Sequence, residues 1–146
     1  TDGFFDCKIT NKDTLEIVTR GKGLYPFTSA IHERLRSWGV QEGMCYLYLP
    51  HTSASLVISE NYDPSAQADL EAFMERLVPE NQAWQQHTLE GSDDSPSHMR
   101  AMLTHTSLTI PIDSGRLSLG SWQGVYLFEH RSRPHHRKIL LRCLSI

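Results

Sequence analysis

The sequence has few cysteines and no long apolar run. Its 146 residues include three cysteines, Cys7, Cys45 and Cys143, with no Cys-x-x-Cys pair. This odd number and this spacing argue against a disulfide framework and against a zinc finger, and the alternating apolar neighbours predict buried thiols. No apolar stretch approaches the ~18 residues that span a bilayer, and the first residues lack the pattern of a signal segment. We therefore expect a cytoplasmic protein with no membrane partner.

The sequence also lacks a strong net charge and the common nucleotide-binding motifs. Because the net charge is only -3, we expect no nucleic-acid partner. The one basic run, Arg131–Lys138, is interpreted as a solvated turn or a phosphate-facing edge. There is no Walker loop, no dinucleotide fingerprint and no Gly-x-Ser-x-Gly elbow around Ser53 or Ser55. ATP- or NAD-dependent chemistry and a serine nucleophile are therefore unsupported.

Hydrophobic periodicity predicts an α+β fold in one compact domain that covers residues 1–146. Two main helices are predicted over 28–38 and from Asp63-Pro64 to Pro79, and a short third over 96–103. Asn11–Asp13 is predicted as a hairpin turn. Consecutive late strands favour antiparallel hairpins over βαβ crossovers. The predicted strands cover residues 4–10, 14–20, 43–49, 54–59, 106–112, 115–119, 122–130 and 137–145.

Three of the eight histidines lie in polar segments and are candidate metal ligands. His51 precedes a predicted buried strand, and His87 and His98 bracket a loop rich in acidic and hydroxyl residues. Three neutral imidazoles with an open fourth position are typical of catalytic zinc, and imidazole also suits other late first-row metals. The long polar stretch 79–95 is typical of a functional or a disordered loop. Taken singly, each histidine is more often a surface or hydrogen-bonding residue.

Carboxylates near these histidines are candidates for supporting roles. A metal site needs acceptors that hold the imidazole tautomers and a general base near bound water. Glu60, Glu90 and Asp94 fit these roles. Asp63 precedes a proline and is better explained as a helix cap.

Two later segments leave alternatives open. Gly120–Gly124 carries Trp122 and Gln123, which face a ligand in one interpretation and form a β-bulge with a core tryptophan in the other. His130 follows Glu129 at a predicted strand end. It is either a further site residue or a surface residue paired across strands.

A set of short motifs runs in order along nearly the whole chain. The motifs are His51–Leu56, Glu60-Asn61, Asp63-Pro64, Asp69–Glu71, His87, Glu90-Gly91, Asp94, Pro96, His98, Ser107-Leu108, Ile110-Pro111, Gly115–Leu117, Gly120–Gly124 and Glu129–Arg131. In these motifs the chain resembles the YjbQ-like family, part of which is associated with a secondary thiamine-phosphate synthase activity. The resemblance implies a small α+β fold that assembles as a homotrimer.

The resemblance also implies a polar pocket near a subunit interface. A divalent metal ion, expected to be zinc, is implied there with His51, His87 and His98 as ligands. The catalytic candidates carried over by motif position are Glu60, Asp94, Gln123 and Glu129. The expected substrate-binding residues are Ser53, Arg116 and Arg131.

The reaction named for the family joins a pyrimidine diphosphate to a thiazole phosphate with loss of pyrophosphate. The resemblance therefore implies a small phosphorylated or heterocyclic substrate. Charge accumulates on the departing phosphate oxygens, so cations such as Arg116, Arg131, Arg133 or Lys138 are needed nearby. The chain is much shorter than the ~250 residues of a (β/α)₈ barrel, the scaffold expected of a dedicated enzyme for this step, which favours a weak side activity.

Two other functions are kept as alternatives. The first is a metal-assisted hydrolase, in which Glu60 or Glu90 helps to activate the attacking water. The second is a non-catalytic trimer that binds a metal ion or a metabolite. Turnover separates the enzymes from the binding protein, and dependence on an acceptor substrate separates the transferase from the hydrolase.

Overall fold

A computed structural model describes residues 10–146 of the chain. Over these residues the helices are α1 (Thr28–Trp38), α2 (Pro64–Leu77) and α3 (Asp94–Leu103). The strands are β1 (Thr10–Thr19), β2 (Gly23–Pro26), β3 (Gly43–Tyr48), β4 (Ala54–Glu60), β5 (Ser107–Asp113), β6 (Arg116–Leu117), β7 (Gln123–Glu129) and β8 (His135–Ser145).

Two antiparallel sheets form the framework of the fold. The large sheet has the strand order β1-β8-β3-β5-β6, and the small sheet has the order β2-β7-β4. Each of the strand pairs in both sheets is antiparallel. The predicted α+β fold with antiparallel sheets and three helices is therefore confirmed.

One apolar core joins the two sheets. Ile139, Leu141 and Cys143 alternate along β8 and are fully buried, as expected for a strand with one face on the core. The small sheet contributes Leu56 and Leu127 to the same cluster. The two sheets therefore share one apolar core, whose burial is the main stabilising contribution in a domain of this size.

Helices α1 and α2 begin and end where local sequence signals predict, whereas α3 begins at Asp94, two residues before the predicted start at residue 96. In α1, Ile31 and Leu35 are buried, and Gly39 ends the helix in the left-handed conformation at φ 68°, which glycine adopts without steric cost. At the start of α2, the Asp63 carboxylate accepts a hydrogen bond from the Ser65 backbone N–H at 2.9 Å. The predicted helix cap at Asp63 is therefore confirmed.

The hairpin turn predicted near the N-terminus is wrong. Asn11–Asp13 lies inside β1, which pairs with β8 over its whole length. Because β1 is an edge strand of the large sheet, its polar residues can face solvent, and their turn-forming character does not decide the structure. The rest of the predicted strand 4–10, and Cys7 with it, lies outside the described residues. The short strand β2 was not predicted.

Two further expectations concern burial and membranes. Cys45 and Cys143 are buried and lie opposite each other in the β3–β8 pair, so the prediction of buried thiols is confirmed for these two. Within residues 10–146, no helix combines the length and the apolar character that a membrane crossing requires. The cytoplasmic location stays a prediction.

A buried ion pair connects the two sheets at one end of the core. Arg137 of β8 donates to both carboxylate oxygens of Glu129 at the end of β7. The Thr19 hydroxyl of β1 donates to the same carboxylate at 2.7 Å. Burial alone would raise the pKa of Glu129, but the hydrogen bonds from Arg137 and Thr19 outweigh it and lower the pKa. Glu129 is therefore a charged residue inside the core.

Replacing Glu129 with Gln is expected to lower the free energy of unfolding by roughly 3–5 kcal/mol, because it leaves the Arg137 charge buried without its partner. Urea denaturation measures the loss. The control Asp13→Asn breaks a more exposed pair with Arg34 and should change the stability far less. Equal losses in the two variants would contradict a special role for the buried pair.

Candidate functional site

The first turn of α3 brings a buried carboxylate together with two histidines. Asp94 Oδ2 lies 2.9 Å from His87 Nε2, and Asp94 Oδ1 lies 3.1 Å from His98 Nε2. Asp94 and His98 are four residues apart, so they share one face of the helix. His87 comes from the loop that precedes the helix and is more exposed than the other two. Loop and helix together thus present three polar side chains to one point.

The spacing of these three side chains fits a metal ion. One potential ligand atom from each of His87, Asp94 and His98 lies within 4.8 Å of the other two. Two ligand atoms that are each ~2.1 Å from one ion, at bond angles of about 90–109°, are roughly 3.0–3.4 Å apart. Of the two distances to the Asp94 oxygens, 3.1 Å to Oδ1 falls at the lower end of this range and 2.9 Å to Oδ2 lies just below it. Two imidazoles and one carboxylate are also a common ligand set for zinc and for non-haem iron.

The hydrogen bonding of His98 leaves its Nε2 atom without a proton in the neutral ring. His98 Nδ1 lies 2.8 Å from the Thr52 carbonyl oxygen, which can only accept, so Nδ1 carries the hydrogen. In the neutral ring the Nε2 lone pair then lies 3.1 Å from a carboxylate oxygen of Asp94. Two electron-rich atoms at this distance repel each other unless a proton or a cation lies between them. The backbone carbonyl thus sets the tautomer that metal-ligating histidines use.

Arg131 orients the acidic residues of this cluster. Its Nε donates to Asp93 Oδ2 at 3.0 Å, its Nη1 to Asp94 Oδ1 at 2.9 Å, and its Nη2 to the Glu90 carbonyl oxygen at 2.9 Å. Burial alone would raise the pKa of Asp93, but hydrogen bonds from the Ser132 backbone and Arg131 lower it. Since all three nitrogens have protein partners, this placement supports a positioning role. The substrate contact expected of Arg131 stays a prediction.

His51 lies beside this cluster and is not part of it. In the described part of the chain, the group of potential ligands comprises His87, Asp94 and His98 without His51. The His51 Nε2 atom accepts a hydrogen bond from the Lys138 backbone N–H at 3.0 Å. Burial lowers the pKa of His51, and the Arg137 charge lowers it further. His51 is therefore a neutral ring whose Nε2 lone pair is already used.

Ser53 and Glu129 belong to the buried network behind His51. The Ser53 hydroxyl accepts a hydrogen bond from Arg137 Nη2 at 2.9 Å, and Ser53 is itself buried. Arg137 connects this hydroxyl to Glu129. The expected catalytic role of Glu129 and the substrate-binding role of Ser53 stay predictions. What the network does within one chain is support the segment that carries His51 and Thr52.

Glu60 and Gln123 lie at the far end of the small sheet. The β4–β7 register pairs Ala54 with Glu129 at one end and Glu60 with Gln123 at the other. Six residues at ~3.3 Å each put the two ends roughly 20 Å apart. The Glu60 carboxylate accepts hydrogen bonds from the backbone N–H groups of Tyr62 and Asp63. Within one chain, Glu60 and Gln123 are therefore separated from the histidine cluster.

The loop between β6 and β7 shows whether Trp122 is a core residue or an exposed one. Trp122 is 59% exposed and contacts Tyr62 edge-to-face, with ring centroids 5.1 Å apart. A core tryptophan is therefore wrong at this position. The Gln123 side-chain oxygen accepts from the Gly120 backbone N–H at 2.8 Å, so it closes the turn.

Arg116 is also distant from the cluster. Arg116 lies opposite Asp113 in the register of β5 and β6. This place is next to the Gly43 end of β3. His51 follows the opposite end of β3, after Tyr48. The phosphate contact expected of Arg116 is thus not made beside His51 within one chain, and it stays a prediction.

His130 is a core histidine, so its interpretation as a surface residue is wrong. It is 1% exposed, and its Nε2 lies 2.9 Å from the Ser55 hydroxyl. Its Nδ1 has no hydrogen-bond partner among the described residues. Burial, and after it the Arg100 charge, lowers the pKa of His130 to about 3.

Two residues of the site were not identified in the sequence. Thr52 acts through its backbone carbonyl, which no side-chain pattern signals. Arg137 was grouped with the solvated basic run. Its position two residues before Ile139 and four before Leu141 places it on the buried face of β8, and this alternation is the signal that identifies it.

The His130 ring is expected to stay neutral as the pH falls to about 4, because its pKa is about 3 in the folded chain. The unfolded chain binds this proton near the ordinary value of 6.5, so stability should fall as the pH drops between these values. Nitrogen-15 NMR of the ring gives its titration, and denaturation at several pH values gives the slope. A variant His130→Asn should show a weaker slope. Protonation of the folded-state ring near pH 6 would refute this assignment.

Comparisons with known proteins identify the chain's relatives. The family model for UPF0047 protein YjbQ-like matches residues 13–145. A UPF0047 protein of Synechocystis is 48% identical over 131 residues, which cover 90% of this chain and 89% of the relative. The UPF0047 protein YjbQ of Salmonella typhimurium is 41% identical over 87% of this chain and 92% of its own.

A solved structure has the same fold. The crystal structure of a conserved hypothetical protein from Thermus thermophilus matches with a TM-score of 0.82 and 32% sequence identity, covering 90% of this chain and 99% of that one. Sequence and structure therefore agree, and the chain belongs to the YjbQ-like UPF0047 family.

Proposed function

We propose that the protein is a metal-dependent enzyme that acts on a small phosphorylated or heterocyclic substrate. The proposed ligands of one divalent ion, zinc by preference, are His87, Asp94 and His98. The observation that carries this proposal is the His98 ring, whose Nδ1 lies 2.8 Å from a carbonyl oxygen while its Nε2 faces the Asp94 carboxylate at 3.1 Å. When bound there, the ion would polarise a substrate oxygen and lower the pKa of a water.

The chain's own residues supply orientation and proton transfer in this proposal. Arg131 holds the Asp94 carboxylate, and the Thr52 carbonyl holds the His98 ring, so both side chains are fixed before substrate binds. Glu90 is the preferred general base, because it lies in the same loop as His87. Glu60, the other candidate, lies at the far end of β4. In this proposal His51 is outside the set of ligands.

The specific reaction in this proposal is the transfer that joins a pyrimidine diphosphate to a thiazole phosphate. Its leaving pyrophosphate needs cations. In the described chain, the guanidinium groups of Arg131 and Arg137 both hold carboxylates. Further cations for the diphosphate would then come from the exposed Lys138 and Arg133 or from a neighbouring subunit. This observation favours the second candidate function, a metal-assisted hydrolase, which requires no pyrophosphate site.

We also propose that the active form is a homotrimer with its site near a subunit interface. The resemblance to the family supports this assembly. The separation of Glu60, Gln123 and Arg116 from the histidine cluster agrees with it, because a neighbouring subunit would be required to bring these residues to the cluster. The non-catalytic alternative, a trimer that binds a metal ion or a metabolite, uses the same surfaces without turnover.

Protein prepared without chelator is expected to retain about one zinc or other late transition metal ion per chain. The double variant His87→Ala, His98→Ala is expected to lose it, because one carboxylate alone holds such ions weakly. Elemental analysis of the dialysed protein measures the content. The control His105→Ala changes an exposed histidine outside the cluster and should match the wild type. Failure of the wild type to retain zinc after incubation with it would refute the proposed ligands.

Release of pyrophosphate from a pyrimidine diphosphate is expected to require the thiazole phosphate acceptor. The rate is expected to fall at least ~100-fold in the double variant, the usual effect of removing an electrostatic stabiliser. Chromatography of the products with and without acceptor measures both effects. Hydrolysis that ignores the acceptor would favour the hydrolase. Saturable binding with no turnover of either substrate would leave only the binding protein.

A further inference from the structure

The hydrogen bonding of His51 determines which of its ring nitrogens carries the proton. The Lys138 backbone N–H points at His51 Nε2 from 3.0 Å. A backbone amide can only donate, so Nε2 is the acceptor and the neutral ring carries its hydrogen on Nδ1. His51 therefore presents an N–H group on the side of the ring that faces away from Lys138.

A second donor lies next to this N–H group. Arg137 Nη1 lies 3.5 Å from His51 Nδ1, and a guanidinium nitrogen can only donate. The other nitrogens of Arg137 have acceptors: Nε donates to Glu129, and Nη2 donates to Ser53 and Glu129. Within residues 10–146, the one hydrogen-bond contact of Nη1 is with His51 Nδ1, which cannot accept while it carries the ring hydrogen. Arg137 is only 4% exposed, and buried donors are almost always matched by an acceptor oxygen.

The His51 ring also lines a cavity beside the proposed metal ligands. The cavity has a volume of about 490 Å³. His98 lines it too, so a molecule inside contacts a proposed ligand. The remaining lining residues offer methyl, thioether and hydroxyl groups and no fixed charge: Thr52, Ala101, Met102 and Thr106. Such a volume and lining suit a compact apolar group of about one ring in size.

The charges around His51 favour an anionic oxygen at its Nδ1–H group. The basic groups that act on the ring are Arg137, Lys138 and His135, whereas Glu129 is the acidic one. The Glu129 charge is already paired with Arg137. A negatively charged oxygen therefore gains from this surrounding charge, and hydrogen bonds to a charged acceptor are roughly twice as strong as neutral ones.

We propose that His51 Nδ1–H binds one oxyanion of a small molecule whose apolar body fills this cavity, and that the positive charge of Arg137, which lies behind the ring and does not itself line the cavity, strengthens this contact. The ligand class is an organic phosphate or carboxylate with a compact aromatic or aliphatic group. The proposal deepens the proposed function and rests on it for one point, that the bound molecule lies beside reactive metal ligands. Binding itself needs only His51, Arg137 and the cavity.

Two substitutions of His51 separate the donor from the structural role of the ring. In His51→Gln, an amide oxygen can replace Nε2 and accept from Lys138 N–H, but no N–H remains at the Nδ1 position. In His51→Asn, an amide N–H can replace Nδ1–H and donate to the oxyanion. The probes are phenyl phosphate, benzoate and inorganic phosphate, and calorimetry measures their affinities for the full chain.

Phenyl phosphate or benzoate is expected to bind the wild type saturably, and which of them binds tells phosphate from carboxylate recognition. His51→Gln should weaken this binding by roughly tenfold or more, the usual effect of losing a hydrogen bond to a charged group. His51→Asn should bind several-fold tighter than His51→Gln. Phenyl phosphate should bind tighter than inorganic phosphate, because only the former buries a ring. No binding of either aromatic probe, or equal affinities in both variants and the wild type, would overturn the proposal.

The same titrations with chelator-treated and with zinc-loaded protein keep the two proposals apart. Binding that depends on His51 in chelator-treated protein supports the oxyanion site even if the chain retains no metal ion. Zinc retention together with binding that ignores His51 overturns the oxyanion site and leaves the proposed metal ligands standing.

Nitrogen-15 NMR of the wild-type ring covers the case in which His51→Gln does not fold. A hydrogen on Nδ1 whose resonance shifts on saturation with the probe supports the proposal. A hydrogen on Nε2, or an Nδ1 resonance unchanged at saturation, overturns it.

Discussion

The buried ion pair between Glu129 and Arg137 is the interaction on which the candidate site depends. Removing two charges from water costs several kcal/mol for each ion, and their attraction offsets this cost only when further hydrogen bonds satisfy both groups. Here Thr19 and two backbone N–H groups donate to the carboxylate, and Ser53 accepts from the guanidinium. The pair fixes β7 against β8. The segments next to it, which carry Arg131 and Lys138, are placed as a consequence.

Both halves of the site are oriented from this pair. After β7, Arg131 reaches Asp93 and Asp94 and so sets the carboxylate that contacts His87 and His98. In β8, the Lys138 backbone N–H fixes the His51 ring. The protein thus prepares two neighbouring polar arrangements, one for a cation and one for an oxygen acceptor. Groups held by neighbouring side chains and backbone lose little freedom when a ligand binds, and this makes such a site effective.

Local features were predicted well, and pairing across the chain was not. The start of α2 at Asp63-Pro64 and the end of α1 at Gly39 depend on hydrogen bonds and φ angles within a few residues, so the sequence signals them directly. The turn predicted at Asn11–Asp13 failed because pairing with β8 overrides the local preference of polar residues on an edge strand. The exposure of Trp122 could not be predicted for the same reason, since it depends on residues far away in the chain.

The sequence by itself determined the α+β class, the ends of α1 and α2 and the family, because periodicity, caps and motif order are properties of the linear chain. It also marked His87, Asp94 and His98 as polar residues in one region. Only the tertiary structure decided that Asp94 contacts both histidines and that Glu60 and Gln123 lie at the opposite end of the small sheet. It also decided that the His51 Nε2 atom accepts a hydrogen bond from the Lys138 backbone. These facts depend on strand register and on backbone groups, which bring together residues far apart in the chain and have no signature in the side-chain pattern.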